Sequence, residues 1–563
     1  MALGMKKGLT SYGDAEFSLF LRKAFIKAMG FSDDALARPI IGITDTASDF
    51  NPCHGNVPAL ITAVKRGVML EGGLPMAFPT ISIHESFAYP TSMYLRNLMA
   101  LDTEEMLRAQ PMDAAVLIGG CDKTIPAQLM AAASVDLPAL VLPVGPMLVG
   151  HHRGEVLGAC TDCRRLWGEF RAGRMDEAEI EAVNSRLAPT FGTCMVMGTA
   201  STIACMTEAL GMALPGSATI PATHADRLRA AEDAGRAAVR LAQNGPRPSA
   251  VMTPAAFQNA FTVLQAIGGS TNALIHFTAI AGRLGIPVDL DEFDRLGREV
   301  PVLVDLKPSG AHYMEDFHWA GGVPRLLREL ADLLDLDAPT VRGGQLRDAI
   351  EQAEDVPGQS VIRRRGNPIS QGGGLAVLRG NLAPRGALLK RSAATPALLR
   401  HEGRAVVFSS TEDMAQRLDD PALDVTPADV LVLQNTGPVG APGMPEAGYI
   451  PIPRKLARQG VKDMLRISDA RMSGTAFGTI VLHITPEAAI GGPLGLVRNG
   501  DRIRLDAEAR RLDLLVDAAE LARRAALWSA PTTSPARGYA RLFHAHVLQA
   551  DEGCDFDFCK SRA

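Results

Sequence analysis

A chain of 563 residues, 47% hydrophobic and 21% charged, can bury its core without disulfide staples and is too apolar for extended disorder. Its 57 basic and 62 acidic residues leave a net charge of −5, which excludes a strongly basic nucleic-acid binder. No uncharged apolar run reaches the roughly 18–20 residues that cross a bilayer, and the start, MALGMKKGLTSYGDAEF, lacks the apolar stretch of a secretory signal. A soluble, cytoplasmic protein is expected, in which eight dispersed cysteines serve as ligands, redox groups or core filler.

In chain order, RPIIGIT (38–44), DAAVLIGG (113–120) and ALVLPVG (139–145) read as buried strands. The first is followed by the helical pattern VPALITAVKRGVMLEGG and the second by PAQLMAAASVD, as in α/β folds where strand ends feed helix N-termini. Longer helices are expected over 225–245 and 323–337. After about residue 365, GNPISQGGGLAVLRGNLAPRGALLK reads as a Gly- and Pro-rich linker. Beyond it, AVVFSS (405–410), DVLVLQN (429–435), TIVLHIT (479–485), DRIRLD (501–506) and RLDLLVD (511–517) read as short strands. The expected class is α/β, with a large N-terminal domain built on a parallel sheet (1–365) and a smaller C-terminal β-barrel-like domain (366–563).

Three cysteines share one setting: Cys53 in NPCHGNVP, Cys121 in GGCDKTIPA and Cys194 in FGTCMVMGTAST. Each lies in a loop of small residues before a helical segment, where free N–H groups favour a thiolate. Spacing alone leaves two options open, convergence on an iron–sulfur cluster or burial as small hydrophobes at tight turns. Asp122 and Lys123 follow Cys121, while Glu85 lies in ISIHESF and Glu446 in GPVGAPGMPEAG. Carboxylates suit a hard cation such as Mg²⁺, but a lysine among them does not unless its charge is removed. Ser473, in ISDARMSGTAFGT, has no local histidine and no hydrolase elbow around it. Activating it as a base needs a positive centre nearby.

Taken together and in order, NPCH, GGCDKT, GTCMVMGTAST, GPVGAPGMPE and ISDARMSGT resemble the dihydroxy-acid and phosphogluconate dehydratase family. The resemblance runs from GITDTASDFNPCHGN to GYARLFHAHVLQADEGCDFDF and is strongest to the sugar-acid branch, the arabinonate and xylonate dehydratases. Branched-chain dihydroxy-acid dehydratases typically carry S-D-G where this chain has Ile83-His84-Glu85-Ser86, and their third cysteine has a different context.

The resemblance implies a hydro-lyase that converts an aldonic acid, such as L-arabinonate or D-xylonate, to its 2-keto-3-deoxy acid. It implies that Cys53, Cys121 and Cys194 hold a [2Fe–2S] cluster, with [4Fe–4S] as the other form. Glu85, Asp122 and Glu446 would bind Mg²⁺ together with Lys123 as a carbamate, and Ser473 would take the C2 proton. It also implies a homodimer or homotetramer acting on a small-molecule sugar acid, with neither nucleic acid nor membrane as partner. The alternatives are a branched-chain dihydroxy-acid dehydratase and a non-catalytic iron–sulfur sensor. A sensor would need neither the acidic ligands nor Ser473.

Cys160 and Cys163 form a C-x-x-C with no second half of a zinc site nearby and read as structural thiols. Cys205 reads as core, and Cys554 and Cys559 lie near the C-terminus with no role assigned to them. His54 and His84 flank the implied ligands and either orient their neighbours or are satisfied polar groups. Ser270, Thr271 and Asn272 either touch substrate or cap a helix.

Overall fold

A computed structural model describes residues 4–9, 11–351, 353–530, 535 and 537–561. Four strands, β1 (Ile40–Asp45), β2 (Leu74–Pro79), β3 (Ala114–Gly119) and β4 (Ala139–Pro143), form an all-parallel sheet in the order β2-β1-β3-β4. Every residue of β3 and β4 is buried, which explains their unbroken apolar sequence. The helices Val57–Leu70 and Ala225–Asn244 pack closely together on this sheet. A Cβ at Gly67 would collide with the Glu232 carbonyl, and one at Gly235 with that of Val64, so glycine sets this approach.

A short hairpin, β5 (Gly150–His152) and β6 (Glu155–Leu157), leads into the helix Thr161–Arg171. The helix expected over 323–337 spans only Gly322–Glu329. There the Leu330 amide shares the Leu326 and Leu327 carbonyls, and the chain tightens into a 3₁₀ turn at Ala331–Leu333.

The second sheet has eight strands: β7 (Leu375–Leu378), β8 (Gly386–Lys390), β9 (Arg400–Phe408), β10 (Val430–Leu433), β11 (Arg466–Ser468), β12 (Ile480–Thr485), β13 (Arg502–Asp506) and β14 (Arg511–Leu514). Their order is β14-β13-β9-β10-β11-β12-β8-β7. The edge strands meet, because the Arg379 amide donates to the Arg510 carbonyl at 2.8 Å and the Leu512 amide to the Arg379 carbonyl at 2.8 Å. The sheet is therefore a nearly closed barrel. All eight strands contribute to one inner cluster, including Leu378, Leu389, Val432, Ile467, Val481 and Leu505. Alternate residues Val406, Phe408, Leu431 and Leu433 face outward into a second cluster. The segment read as a linker thus carries β7 and β8, two strands of the barrel wall. Among the described residues, no helix is long and apolar enough to cross a membrane.

Candidate active site

In an open parallel sheet, ligands gather outside the strand ends where the strand order reverses. Here that point lies between β1 and β3. Cys53 sits in the turn Pro52–His54 after β1, and Cys121 directly follows β3. Glu85 comes from the turn Glu85–Phe87 after β2, bringing His84 with it. Cys194 precedes the helix Thr199–Ala209. One ligand atom each from Cys53, His84 and Cys121 lies within 4.8 Å of the others. Cys121, burial and Cys194 together push the Cys53 thiol well above its usual range. Crowding of this kind opposes ionisation, so the helix-end effect expected from the sequence does not dominate at Cys53. A bound cation would remove that opposition.

His54 fixes the geometry of this corner. Its Nε2 accepts from the Gly120 and Cys121 amides at 3.0 Å each, so Nδ1 carries the proton and donates to the Thr46 carbonyl at 2.8 Å. Burial pushes His54 down to about 4, and the unfolded chain binds the extra proton between that value and the ordinary 6.5. The stabilisation is therefore complete above pH 6.5 and is lost as pH falls toward 4. Urea unfolding at stepped pH should show wild type losing stability more steeply than His54→Gln across that window. Parallel curves would remove His54 from this account.

Beside the thiols lies a charged group. Lys123 is fully buried, with Nζ 3.0 Å from Glu85 Oε2 and also bonded to Asp122. Glu85 accepts from Thr91 at 2.6 Å and from Ser92. Burial alone would raise the Glu85 carboxyl, but the charges of Lys123 and Arg471 hold it well below its usual range. Glu446, in the turn Glu446–Tyr449, is raised by burial and then by the charge of Glu85, and it pairs with Arg471 at 3.3 Å. Three carboxylates and one lysine from three distant segments thus face one another.

Ser473 lies between β11 and β12, and several side chains clamp its loop. Lys390 Nζ donates to the Gly474 carbonyl at 3.0 Å, and Asn272 Nδ2 to that of Met472 at 3.0 Å. Ser270 bonds Thr199 Oγ1 at 2.9 Å, and Thr199 Oγ1 also receives the Gly474 amide at 3.3 Å. The segment Ser270–Asn272 therefore braces the serine loop. Ser473 Oγ lies 2.8 Å from Thr475 Oγ1, which in turn accepts from Arg164 Nη1 at 2.8 Å. Sequence reasoning passed over Thr475 and Arg164, whose contact spans 311 positions. Arg164, Cys160, Cys163, Tyr449 and Phe477 line a cavity of about 1040 Å³.

Residues 38–349 match the model of the dihydroxy-acid/6-phosphogluconate dehydratase N-terminal domain, and residues 360–554 that of its C-terminal domain. The chain belongs to this dehydratase family. It is 48% identical to the L-arabonate dehydratase of Azospirillum brasilense over 558 residues, covering 97% of this chain and 95% of the relative. It is 47% identical to the L-arabinonate dehydratase of Rhizobium leguminosarum bv. trifolii, covering 98% and 95%. It is 46% identical to the 6-deoxy-6-sulfo-D-gluconate dehydratase of Pseudomonas putida, covering 94% and 92%. As a dehydratase, this protein is a hydro-lyase.

The donor types fit two different metals in this dehydratase. Clustered thiols suit a soft iron centre, and the neighbouring carboxylates suit a hard divalent cation. The lysine is the one member that fits neither without chemical change.

Proposed function

We propose that this chain dehydrates a sugar acid, taking an aldonate such as L-arabinonate or D-xylonate to the 2-keto-3-deoxy acid. The reading rests on the clustered thiols, the buried carboxylate–lysine group and the braced Ser473, beside relatives named for such substrates. In this reading Cys53, Cys121 and Cys194 hold a [2Fe–2S] cluster, with [4Fe–4S] as the alternative form. Glu85, Asp122, Glu446 and carbamylated Lys123 hold Mg²⁺. The lysine ammonium loses one proton to become an amine, and addition of CO₂ with loss of a second turns it into an oxygen donor and removes the mismatch. When bound, the two centres supply Lewis acidity toward the substrate's carboxylate and hydroxyls.

Ser473 takes the proton from C2 as the C3–O bond breaks, and passing that proton on to the departing hydroxide gives water and frees the serine for the next turnover. The enol that remains tautomerises to the ketone. Thr475 accepts from Arg164, which can only donate, and once Ser473 is deprotonated Thr475 is the partner that donates its proton to Ser473 Oγ. That proton stabilises negative charge on the serine oxygen. Losing one charge-assisted bond costs about 1.5–3 kcal/mol. Arg164→Gln should therefore lower kcat roughly 10- to 100-fold with a smaller change in KM. An unchanged kcat would exclude this linkage.

The same reading divides the chain at 365/366 into an N-terminal thiol-bearing domain and a barrel domain. It makes the enzyme a cytoplasmic homodimer or homotetramer. The test is turnover of a panel of C5 and C6 aldonates, with dihydroxyisovalerate beside them, by anaerobically purified protein supplied with Mg²⁺. A 2-keto-3-deoxy product from an aldonate is expected. Turnover of dihydroxyisovalerate alone would move the enzyme to the branched-chain reaction. No turnover with an intact cluster would leave the sensor.

A further inference from the structure

Five of the eight cysteines converge, not three. Cys160 Sγ lies 3.1 Å from Cys194 Sγ, as a second close thiol pair beside Cys53 and Cys121. Cys160 is held there in a backbone conformation that L-residues avoid, with φ 71° and ψ −34°. Two neighbours fix it: Cys163 Sγ donates to the Cys160 carbonyl at 2.9 Å, and Arg164 Nη1 donates to the same oxygen at 3.0 Å. The C-x-x-C-R turn thus spends its polar groups on aiming one sulfur at Cys194. Unlike Cys205, which is fully buried, Cys160 lines the large cavity and has room to move.

We infer that Cys160 is a fourth thiolate ligand of the iron–sulfur site, paired with Cys194 as Cys53 is with Cys121. The inference rests on the cluster reading given above. Four thiolates complete the usual ligand set of such a cluster, whereas three leave one position free. At rest, Cys160 fills the position that the reaction gives to a substrate hydroxyl. When substrate arrives from the cavity, the sulfur gives way as thiolate and takes up one proton from solvent. Ligands exchange, and no electron moves. The strained turn suits a ligand that must both bind and leave.

The test compares wild type with Cys160→Gly, all purified anaerobically. Glycine adopts the positive φ freely, so the turn keeps its shape without the sulfur. Iron and sulfide content, visible absorption and the electron paramagnetic resonance of the dithionite-reduced protein are read with and without an aldonate. Both proteins should hold iron and sulfide in equal amounts, with the substrate-free spectra clearly different. Aldonate should shift the wild-type spectrum strongly and that of the variant much less. If the glycine variant loses its iron, Cys160→Ser, which keeps a weaker oxygen ligand in place, should show the spectral shift instead. Superimposable spectra from fully loaded wild type and variant would overturn the inference and leave the cluster reading standing. Wild type with neither iron nor sulfide would overturn both.

Discussion

Ser473→Ala is expected to lower kcat by roughly 10²–10⁴-fold, the usual contribution of a positioned base, while the cluster's visible absorption stays unchanged. The separation follows from the geometry. Ser473 Oγ bonds Thr475, whereas the Lys390, Asn272 and Thr199 contacts that hold the loop go to the backbone of Met472 and Gly474. Removing one hydroxyl leaves that scaffold in place. Exchange of the substrate C2 proton with solvent gives an independent readout, because it reports proton abstraction without dehydration. The variant should lose exchange together with turnover. Retained exchange would assign the base to another group.

Lys123→Met should abolish turnover and also lower thermal stability. Before carbamylation the lysine is an ammonium fully buried between Glu85 and Asp122, and in that metal-free form breaking a buried ion pair by removing one partner costs about 3–5 kcal/mol. Glu446, already raised by burial and by the charge of Glu85, would lose a nearby positive charge as well. The carbamate adds a sharper requirement. Wild type dialysed free of CO₂ should lose activity and regain it when bicarbonate is added before Mg²⁺. Full activity throughout such dialysis would show that Lys123 acts as an ammonium, and the Mg²⁺ ligand set would then need another member.

The strands β1, β3, β4 and most of the barrel were legible because each is either an apolar run or, as in β13 and β14, an alternation of apolar and charged residues. The strands β7 and β8 were not, because four- and five-residue strands flanked by glycine and proline carry the local signature of a linker. Their identity depends on antiparallel pairing with each other and on β12, which no local pattern encodes. The thiols, acids and Ser473 stood out through ordered motifs. The supporting residues did not. Cys160 meets Cys194 only because the helix Thr161–Arg171 docks where it does, and Arg164 meets Thr475 only across the two halves of the chain. Conversely, Ser270 and Asn272 were noticed as a helix start, and their role in bracing the serine loop emerged from packing.

The strand order has a consequence for how much of this protein can change. Cys53 and Cys121 ride on loops that leave the adjacent strands β1 and β3. Their separation is thus set by the lateral spacing of neighbouring strands, about 4.8 Å, and not by the helices that lie between them in the chain. The sheet acts as a ruler for the sulfur gap. The intervening helices can be lengthened, shortened or resurfaced without altering that gap, provided that the two strands stay side by side. A single residue inserted within β1 or β3 would rotate its loop to the other face and separate the pair. Tolerance and intolerance to insertion should therefore alternate along the first 125 residues in step with the strands.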